Sequence, residues 1–434
     1  MENVRTVCYN DNSMLWKGGD RVIAKVYYLQ SNTDRAEAVC HAAEVLRKGG
    51  LVVFPTETVY GIGCNAMDPK AVKRLYEAKN RPAEKPLLLH LHSMEQAEKL
   101  SVLNDRARRL LRTFTPGPLS VVLPKRPCVP YEVTSGGETV GLRFPSHPLF
   151  LALAREAGVP IAATSANFSG SVSAKDGKTA AEALSEVADV VLDGGRSEYA
   201  MESTVISLAG EEPRLLRQGA IPWERVQWVL DDHRPRLIGL TGRSGAGKST
   251  AGNCARDMGI PVLDCDVLYR QMTSTPTDCL LAIGATFGEE AIRGGTLNRP
   301  FLRSVVFSDR EAMDKLNGIT AQYMEKELFR LLREEPLRDA SMVLLDAPTL
   351  FESGLNLLCD RILCVTASEE VSVERICRRD GIDKSAARAR LAQQHDDNFF
   401  AARCDVVLRN DKTPEAFRAD VREALECLRR GGTV

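Results

Sequence analysis

The sequence predicts an α/β protein built from two domains, and three observations support this. Its 434 residues exceed the roughly 100–200 residues of a typical domain. Short apolar runs of strand length alternate along the chain with longer segments of helical periodicity. A polar stretch that ends in proline, residues 231–235, separates two such series. We therefore expect an N-terminal domain with a twisted α/β sheet and a C-terminal domain with a doubly wound parallel sheet.

The N-terminal domain is expected to span residues 22–230. Val22–Leu29 predicts a first strand, and the apolar positions of the next segment recur at helical spacing up to Gly49, which ends that helix. Leu51–Pro55 predicts a buried strand. Strands and helices then alternate as far as Pro222–Leu230, which predicts a short closing helix.

The C-terminal domain is expected at 237–434, after a linker at 231–236. Its first strand, Leu237–Leu240, leads directly into a Gly-x-x-x-x-Gly-Lys-Ser sequence, the strand-loop-helix context of phosphate-binding loops. Glycines let backbone N–H groups point inward, and the following helix adds positive charge at its N-terminus. We expect the loop to bind ATP through nine consecutive residues: Gly242, Arg243, Ser244, Gly245, Ala246, Gly247, Lys248, Ser249 and Thr250.

Charged residues near this loop predict phosphoryl transfer. Lys248 is expected to lie along the β- and γ-phosphates, and Ser249 to hold Mg²⁺. Ile260–Asp266 predicts a second strand whose carboxyl end delivers Asp264 and Asp266 to the ligand-binding edge of the sheet. A carboxylate at that edge can accept the proton of an acceptor hydroxyl. The alternative interpretation is that the two acids only cap the next helix.

Three further residues are candidates for the same reaction. Arg375 and Arg379 lie four residues apart and so share one face of the predicted helix Val371–Arg379, from which they can converge on phosphates when a lid closes. The alternative is that arginines on such a helix are solvated. Asp346, at the end of a predicted strand, is a candidate to hold a magnesium-bound water.

The order of these motifs resembles that of dephospho-coenzyme A kinases over essentially all of 237–434. The resemblance rests on Gly239–Thr250, Asp264, Asp266, Arg270, Phe287-Gly288, Leu297–Leu302, Leu316-Asn317, Leu345–Leu355, Arg375, Arg379, Arg390, Gln394, Cys404-Asp405 and Asn410. It implies that ATP phosphorylates the 3′-hydroxyl of dephospho-coenzyme A, with Asp266 as the base and with Asp264 and Arg270 near the acceptor. Two positions depart from the family pattern: Ala321-Gln322 stand where His-Pro is usual, and Phe400 stands where a basic residue is usual.

Polar residues also follow the expected strands of the N-terminal domain in an ordered series. The candidate binding residues are Thr56, Thr58, Tyr60, Lys79, Arg81, Arg143, Ser165, Asn167 and Ser203. Lys79 and Arg81 lie two residues apart, so in an extended segment their side chains are expected to point the same way and to bind a triphosphate together. The hydroxyl and amide groups offer neutral donors and acceptors. No acidic or nucleophilic residue lies at a sequence spacing from His90, His92 or His147 that would indicate a catalytic pair. We therefore expect these histidines to be structural or surface residues.

This series resembles the Sua5/YrdC family of threonylcarbamoyl-adenylate synthases across roughly 33–220. The resemblance implies that L-threonine, bicarbonate and ATP, with Mg²⁺, give threonylcarbamoyl-AMP and pyrophosphate. It also implies that a tRNA threonylcarbamoyl transferase complex receives the product, and it leaves direct binding of tRNA open. No nucleophilic residue is needed, because the carbamate itself attacks the α-phosphate. The rate then depends on the positioning of the reactants and on the stabilisation of charge.

Three alternatives to this bifunctional interpretation stay open. The kinase acceptor could be another small hydroxyl compound or a nucleoside monophosphate. The N-terminal domain could be an RNA-binding module or an inactive scaffold, although no basic, aromatic-interleaved stripe favours this. It could also carbamoylate a different acceptor, in which case its reaction would not depend on threonine.

The composition is that of a globular protein. Hydrophobic residues make up 44% and charged residues 26% of the chain, a balance that disordered and collagen-like chains lack. The 57 basic and 58 acidic residues give a formal net charge of -1, so no global positive field attracts nucleic acid or anionic lipid. The twelve cysteines include no C-x-x-C pair, so we expect reduced thiols and no zinc site.

The sequence also lacks the features of a membrane span or a targeting signal. The longest apolar runs, such as Leu51–Pro55 and Met342–Leu345, fall far short of the about 20 residues that span a bilayer. Residues 1–21 are polar and aperiodic, and we assign them to a tail without a function. They show no basic start followed by an apolar stretch. We therefore expect a cytoplasmic protein without membrane contact.

Overall fold

The computed structural model describes residues 24–29, 32–168, 171–274, 277–306 and 309–430. These residues form two compact units that divide between Leu230 and Asp231, and each unit has its own large sheet. The predicted tail at 1–21 and the first two residues of the strand predicted at 22–29 lie outside the described residues.

The first unit is built on one mixed sheet. Its ten strands within the described ranges are β1 (Lys25–Tyr28), β2 (Val52–Phe54), β3 (Gly61–Asn65), β4 (Leu88–His90), β5 (Leu119–Pro124), β6 (Thr139–Arg143), β7 (Ile161–Ser165), β8 (Val190–Asp193), β9 (Thr204–Ser207) and β10 (Arg214–Arg217). Their order is β1-β8-β2-β3-β7-β4-β6-β5-β9-β10. Strand β4 is parallel to β6 and antiparallel to β7, so neighbours far apart in sequence meet at the centre of the sheet.

Helices cover this sheet. Those in the described residues are α1 (Asn32–Arg47), α2 (Pro69–Ala78), α3 (Met94–Leu100), α4 (Asp105–Phe114), α5 (Tyr131–Thr134), α6 (Pro148–Ala157), α7 (Gly177–Leu184) and α8 (Trp223–Leu230). Side chains of α1 and α6 share one buried core with strand residues such as Phe54 and Ala163. After α1 the chain turns at Gly49, whose φ of 80° is a conformation that glycine adopts without strain.

The second unit contains an all-parallel sheet. Its strands in the described residues are β11 (Arg236–Thr241), β12 (Val262–Asp264), β13 (Ile292–Arg293), β14 (Thr296–Leu297), β15 (Met342–Asp346), β16 (Arg361–Thr366) and β17 (Val406–Arg409). Five of them form the sheet in the order β12-β15-β11-β16-β17, and β13 pairs with β14 in a separate hairpin. Because every pair in the larger sheet is parallel, its carboxyl ends share one edge.

Longer helices connect these strands. Those in the described residues are α9 (Lys248–Asp257), α10 (Cys265–Met272), α11 (Asp278–Phe287), α12 (Arg299–Val306), α13 (Arg310–Leu332), α14 (Glu369–Asp380), α15 (Lys384–Ala392), α16 (Asp397–Ala401) and α17 (Pro414–Arg430), with short 3₁₀ turns at Glu289–Ala291 and Leu355–Leu358. Side chains of α9 and α17 form one buried core with sheet residues that include Leu240, Leu344 and Val365.

The α/β class predicted for both parts and the parallel sheet predicted for the second are confirmed. One boundary is corrected. The strand predicted at Ile260–Asp266 ends at Asp264, and Asp266 lies in the first turn of α10. The strand ends there because the Asp264 carboxylate accepts the N–H groups of Asp266 and Val267 at 2.9 and 3.1 Å and so caps α10. Arg236, the last residue of the predicted linker, begins β11.

Several structural features do not occur in the described part of the chain. No helix there combines the length and the apolar character that crossing a bilayer requires. The cysteines in these ranges are free thiols. The same residues include no group of three or more His, Cys, Asp or Glu side chains that could hold a metal ion.

Two candidate active sites

The first unit contains a cavity of about 360 Å³. It lies on the face of the sheet that packs against α1 and α6, since Ala163 belongs to that core and also lines the cavity. Most of the predicted binding residues line it, namely Thr56, Tyr60, Lys79, Arg81, Arg143, Ser165, Asn167 and Ser203. Thr58 does not line the cavity and instead accepts a hydrogen bond from Nη2 of Arg143 at 2.5 Å.

Neighbouring strands place one residue each in a continuous row, and all but Ser120 of this row line the cavity. His90 of β4 pairs with Arg143 of β6, which pairs with Ser120 of β5. Ser120 pairs in turn with Val205 of β9, which lies opposite Arg217 of β10. Paired residues of adjacent strands project from the same face of a sheet. The strand register therefore brings a histidine and two arginines to one surface.

A buried ion pair holds Arg143 in place. Its Nη2 lies 2.9 Å from Oε1 of Glu57, and both side chains are almost fully buried. Nη2 also donates to Oγ1 of Thr56 at 3.2 Å, while Oε2 of Glu57 accepts the backbone N–H of Ser146 at 2.9 Å. The Nε of Arg143 has no hydrogen-bond partner among the described residues. The guanidinium is thus fixed on one side and retains a donor on the other.

Loss of Arg143 should destabilise the first unit. Arg143→Leu leaves the Glu57 carboxylate buried without its cation, which is expected to lower the free energy of unfolding by about 3–5 kcal/mol. All three tryptophans of the chain precede residue 231, so tryptophan fluorescence in urea follows this unit. The control is Arg108→Leu, which breaks an exposed pair with Glu98 at 2.6 Å and should cost about 0–1 kcal/mol. Equal losses in the two variants would contradict this account.

Lys79 enters the cavity wall from the end of α2. The residue is 1% exposed, and its ammonium donates to the carbonyl of Ser165 and, at 2.9 Å, to Oδ1 of Asn167. Burial, followed by the adjacent Arg81 cation, lowers the pKa of Lys79 to about 7, and Glu202 opposes this shift. Lys79 is therefore poised between its charged and neutral forms at neutral pH.

Arg81 lies beside Lys79 in the same wall. Its Nε donates to the carbonyl of Lys85 at 3.1 Å and its Nη2 to the carbonyl of Pro86 at 2.9 Å. Its Nη1 lies 3.5 Å from Oγ1 of Thr164, in β7. Arg81 and Lys79 both line the cavity, but the extended segment predicted for them is wrong. Lys79 has αR dihedral angles at the end of α2, and Asn80 has a φ of 46°.

The Tyr60 hydroxyl forms hydrogen bonds with residues that do not line the cavity. It donates to the carbonyl of Gly195 at 2.6 Å and accepts the N–H of Gly194 at 3.0 Å. Tyr60 therefore contributes its ring to the cavity, whereas its hydroxyl ties the cavity wall to the segment after β8.

Three charged residues that line the cavity were not among the predicted binding residues, namely Lys85, Glu202 and Arg217. Glu202 and Arg217 form an ion pair, and Arg217 also donates through Nη2 to Oγ of Ser203 at 3.0 Å. Ser203 in turn lies 3.0 Å from Oγ of Ser120. The signal available in the sequence for Arg217 was its position, because it ends β10 and other cavity residues, such as Arg143 and Ser165, also end strands.

In the second unit, the loop between β11 and α9 has the backbone of a phosphate cradle. Gly242, Gly245 and Gly247 have φ values of 133°, 77° and 115°, which residues with a Cβ rarely adopt. A Cβ on Gly247 would lie 2.1 Å from Nδ2 of Asn410. Nζ of Lys248, at the start of α9, donates to the carbonyl of Gly242 at 2.6 Å. The lysine thus folds over the loop.

Side chains from later in the chain brace this loop. Gln394 accepts the N–H of Ser244 at 2.9 Å and donates to its Oγ at 3.0 Å. Nη2 of Arg243 donates to a carbonyl of α15 at 3.0 Å. Nδ2 of Asn410 donates to the carbonyl of Ala246 at 2.7 Å. Gln394 and Asn410, which belong to the motif series of the sequence, therefore act on the loop backbone.

The two arginines of α14 have different partners. Nη1 of Arg375 donates to the carbonyls of Gly245 and Ala246 at 3.3 and 3.2 Å. Nε of Arg379 donates instead to the carboxylate of Asp380 at 2.7 Å. Only Arg375 reaches the loop, so the predicted convergence of both arginines is not seen in this structure.

Carboxylates gather at the carboxyl edge of the parallel sheet. Asp264 ends β12 directly opposite Asp346, which ends β15, and Asp266 follows in α10. Burial, above all, raises the pKa of Asp346 to about 6, with the two other carboxylates adding to the shift and Lys248 opposing it. Nε of Arg270 donates to the backbone carbonyl of Asp266 at 3.1 Å, which places Arg270 beside this edge.

These residues fit a Mg²⁺ ion. Oδ1 of Asp346 is buried and has no hydrogen-bond partner among the described residues, so a nearby cation or its water shell would satisfy it. Ser249 and Thr250 stand in the first turn of α9, and Ser249 is exposed. Mg²⁺ is commonly held by one or two protein oxygens together with phosphates and water, which agrees with this sparse donor set.

The two departures from the motif pattern have structural consequences. Phe400 is 5% exposed, and its ring centroid lies 5.5 Å from that of Phe399 and 6.2 Å from that of Phe351. It therefore fills an apolar cluster. Ala321 and Gln322 lie inside α13, which runs unbroken for 23 residues, whereas a proline inside a helix would interrupt it.

Comparisons with known proteins match the two units separately. The Sua5/YciO/YrdC family model, described as telomere recombination, matches residues 44–219, and the dephospho-CoA kinase family model matches residues 236–415. A relative in Mycobacterium tuberculosis whose name includes threonylcarbamoyl-AMP synthase is 39% identical over 206 residues, covering 47% of this chain and 94% of that protein. The dephospho-CoA kinase of Anaeromyxobacter dehalogenans is 39% identical over 201 residues, covering 45% and 93%.

Other relatives extend beyond the region that they share with this chain. The threonylcarbamoyl-AMP synthase of Pyrococcus abyssi is 45% identical over 194 residues, which cover 44% of this chain and 57% of that protein. The chain thus spans little more than half the length of that relative. The crystal structure of Pyrococcus abyssi Sua5 with L-threonine aligns with a TM-score of 0.45 and 28% identity, over 79% of this chain and 99% of that one. The chain belongs to the Sua5/YciO/YrdC family through its first unit and to the dephospho-CoA kinase family through its second.

Proposed function

We propose that the first unit joins L-threonine, bicarbonate and ATP into threonylcarbamoyl-AMP and pyrophosphate. The observation that carries this proposal is the convergence of Lys79, Arg81, Arg143 and Arg217 on one cavity. A reaction that brings together a triphosphate, a carbonate and a carboxylate needs this much positive charge to offset their repulsion. The names of relatives in the same family support the choice of substrates.

The chemistry requires positioning more than covalent catalysis. The threonine amine attacks the carbon of bicarbonate, which loses water and leaves a carbamate. A carbamate oxygen then bonds to the α-phosphorus of ATP as the bond from that phosphorus to the bridging oxygen breaks and pyrophosphate leaves. Lys79 and Arg81 neutralise the triphosphate, and the planar fork of Arg81 suits two phosphate oxygens. Ser165, Asn167 and Ser203 offer neutral hydrogen bonds that orient the ribose and the amino acid.

The test is pyrophosphate release from ATP by the intact chain. The proposal predicts release that requires both threonine and bicarbonate. RNA binding without such release would favour an RNA-binding module or scaffold. Release that persists without threonine would favour carbamoylation of a different acceptor.

The pKa of Lys79 predicts a pH dependence of this activity. Its pKa of about 7 means that the cation is lost as pH rises through neutrality, and the neutral amine cannot pair with phosphate. We expect the KM for ATP in pyrophosphate release to rise above pH 7, by at most about tenfold per pH unit. Lys79→Arg keeps its charge and should flatten the profile. A wild-type KM that is constant from pH 6.5 to pH 8.5 would contradict this role.

We propose that the second unit transfers the γ-phosphoryl group of ATP to the 3′-hydroxyl of dephospho-coenzyme A. In this reaction Asp266 accepts the proton of the hydroxyl, and Lys248 and Arg375 stabilise charge on the phosphates. Ser249, with Asp346 through a water, would hold Mg²⁺, which supplies charge neutralisation when bound. Asp264 positions Asp266 by capping α10.

The acceptor is tested by ADP release with a panel of hydroxyl compounds. We expect turnover with dephospho-coenzyme A and little with nucleoside monophosphates. Turnover with another acceptor alone would refute the assignment of the substrate while leaving the phosphate loop in its role.

We also propose that the activated product of the first unit is passed to a tRNA threonylcarbamoyl transferase complex. Adding such a complex and tRNA to the synthase reaction should yield modified tRNA. Modification that fails while threonylcarbamoyl-AMP accumulates would exclude that partner.

A further inference from the structure

Two cysteines of the second unit lie side by side, and no step of the proposed function uses them. Cys364 is a residue of β16, and Cys404 lies just before β17, the neighbouring parallel strand. Their thiol groups share a hydrogen bond. Asp405 fixes this junction, because its N–H donates to the carbonyl of Ile362 at 3.0 Å and its Oδ2 accepts the N–H of Ile362 at 2.8 Å. The structure thus holds two thiols in contact.

The two thiols differ in access and in acidity. Cys364 is fully buried, whereas Cys404 is half-buried. The hydrogen bond from Cys364 lowers the pKa of Cys404, and burial and the Asp405 charge oppose this shift. The same hydrogen bond, followed by burial, raises the pKa of Cys364. Because the thiolate is the reactive form of cysteine, a small oxidant in solution reacts first with Cys404.

Cys364 lies directly beside the phosphate loop. It is paired with Thr241, the last residue of β11 before the loop begins at Gly242. A Cβ on Gly242 would lie 2.1 Å from the carbonyl oxygen of Val365, the next residue of β16. The Lys248 charge also acts on the Cys364 thiol, since it opposes the rise in the pKa of that group. A change at Cys364 is therefore a change beside the groups that face ATP.

Cys404 belongs to the segment that braces the same loop. Gln394 precedes it and holds the N–H and Oγ of Ser244 at 2.9 and 3.0 Å. Asn410 follows it and donates through Nδ2 to the carbonyl of Ala246 at 2.7 Å. A displacement of Cys404 thus acts on a segment whose two ends hold the phosphate loop.

We propose that Cys364 and Cys404 form a reversible disulfide bond that slows the kinase when the chain meets a low-molecular-weight disulfide. The Cys404 thiolate attacks one sulfur of the small disulfide, the bond between its two sulfurs breaks, and one thiolate leaves. The Cys364 sulfur loses its proton and attacks the sulfur of Cys404, which releases the second thiolate. The two cysteines are oxidised to one disulfide. The small disulfide is reduced to two thiols, which take up the two protons that the cysteines lose.

This bond must displace part of the loop's support. The sulfur atoms of a disulfide are about 2.05 Å apart, closer than those of two thiols that share a hydrogen bond. Strand β16 is held between β11 and β17, so the movement falls on the segment around Cys404. Because a shift of about 1 Å in a catalytic site costs about 10²-fold in rate, we expect kcat/KM for ATP in the kinase reaction to fall by about 10–100-fold.

The test equilibrates the intact chain with mixtures of reduced and oxidised glutathione. Kinase kcat/KM for ATP should fall as the oxidised fraction rises and recover with excess dithiothreitol, while pyrophosphate release by the first unit stays unchanged. Peptide mass mapping of the oxidised chain should show Cys364 joined to Cys404. Cys364→Val and Cys404→Ala should each keep the kinase active and remove its response. The control Cys128→Ala, which removes an exposed cysteine of the first unit, should keep the response.

Three results would overturn the proposal. A mixture that attaches glutathione to the exposed Cys128 but does not join Cys364 to Cys404 would show that the two sulfurs cannot bond. A joined pair without a change in kinase rate would show that the bond is not a switch. A response retained in Cys404→Ala would assign the effect to another cysteine. If the reduced wild type phosphorylates no dephospho-coenzyme A, the proposed kinase function fails and the switch fails with it, whereas an active but insensitive chain rejects the switch alone.

Discussion

Replacing Asp266 by asparagine should lower the turnover of dephospho-coenzyme A phosphorylation by about 10²–10⁴-fold, the usual loss when a general base is removed. The amide keeps the size of the side chain but cannot accept the proton of the acceptor hydroxyl. Asp266 sits in the first turn of α10, where the cap from Asp264 fixes the local backbone. The substitution therefore changes chemistry with little change in structure.

Two controls accompany this experiment. Asp278→Asn alters an exposed acid in the first turn of α11 and should leave the kinase rate unchanged. Pyrophosphate release by the first unit of the same chain should also be unchanged, which shows that the polypeptide is intact. A kinase rate within a few fold of wild type in Asp266→Asn would remove this residue from the role of base.

Lys79→Met should lower kcat/KM for pyrophosphate release by about 10²–10³-fold, the usual loss of one charge-stabilising donor in an active site. Methionine preserves the buried stem of the side chain but removes the ammonium that binds the Ser165 carbonyl and Asn167. Both the charge facing the triphosphate and the anchor for this segment are then absent.

The matched control is Lys70→Met, which replaces an exposed lysine near the start of the same helix, α2. It should leave pyrophosphate release unchanged, and the kinase should be unchanged in both variants. If Lys70→Met and Lys79→Met reduced the rate equally, helix stability rather than charge in the cavity would explain the effect.

The loop of the second unit could be predicted from the sequence because its determinants are local. A strand, three glycines at positions that require positive φ and a lysine at the helix start follow one another between Arg236 and Lys248. Likewise, the motif order picked out eight residues that line the first cavity, and some of them end strands, as Arg143 and Ser165 do. Thr58 was the exception, because its hydroxyl is occupied by Arg143.

What could not be predicted depends on strand order and register. The sequence does not show that His90, Arg143 and Arg217 line one cavity. These residues belong to β4, β6 and β10, and only the order of the ten strands brings them to the same part of the sheet. No local pattern gives that order. The partner of Arg379 was missed for a similar reason, since helical spacing gives the face of a residue but not the competing acid, here Asp380.

Labelled ATP tests the central claim of two ATP-dependent chemistries in one chain most directly. The intact protein is supplied with ATP labelled at the α- or γ-phosphate, together with threonine and bicarbonate, or with dephospho-coenzyme A, or with all three. We expect the α-label in threonylcarbamoyl-AMP in the first case, the γ-label in coenzyme A in the second, and both products at undiminished rates in the third. Cleavage at only one of the two phosphorus positions would contradict this account.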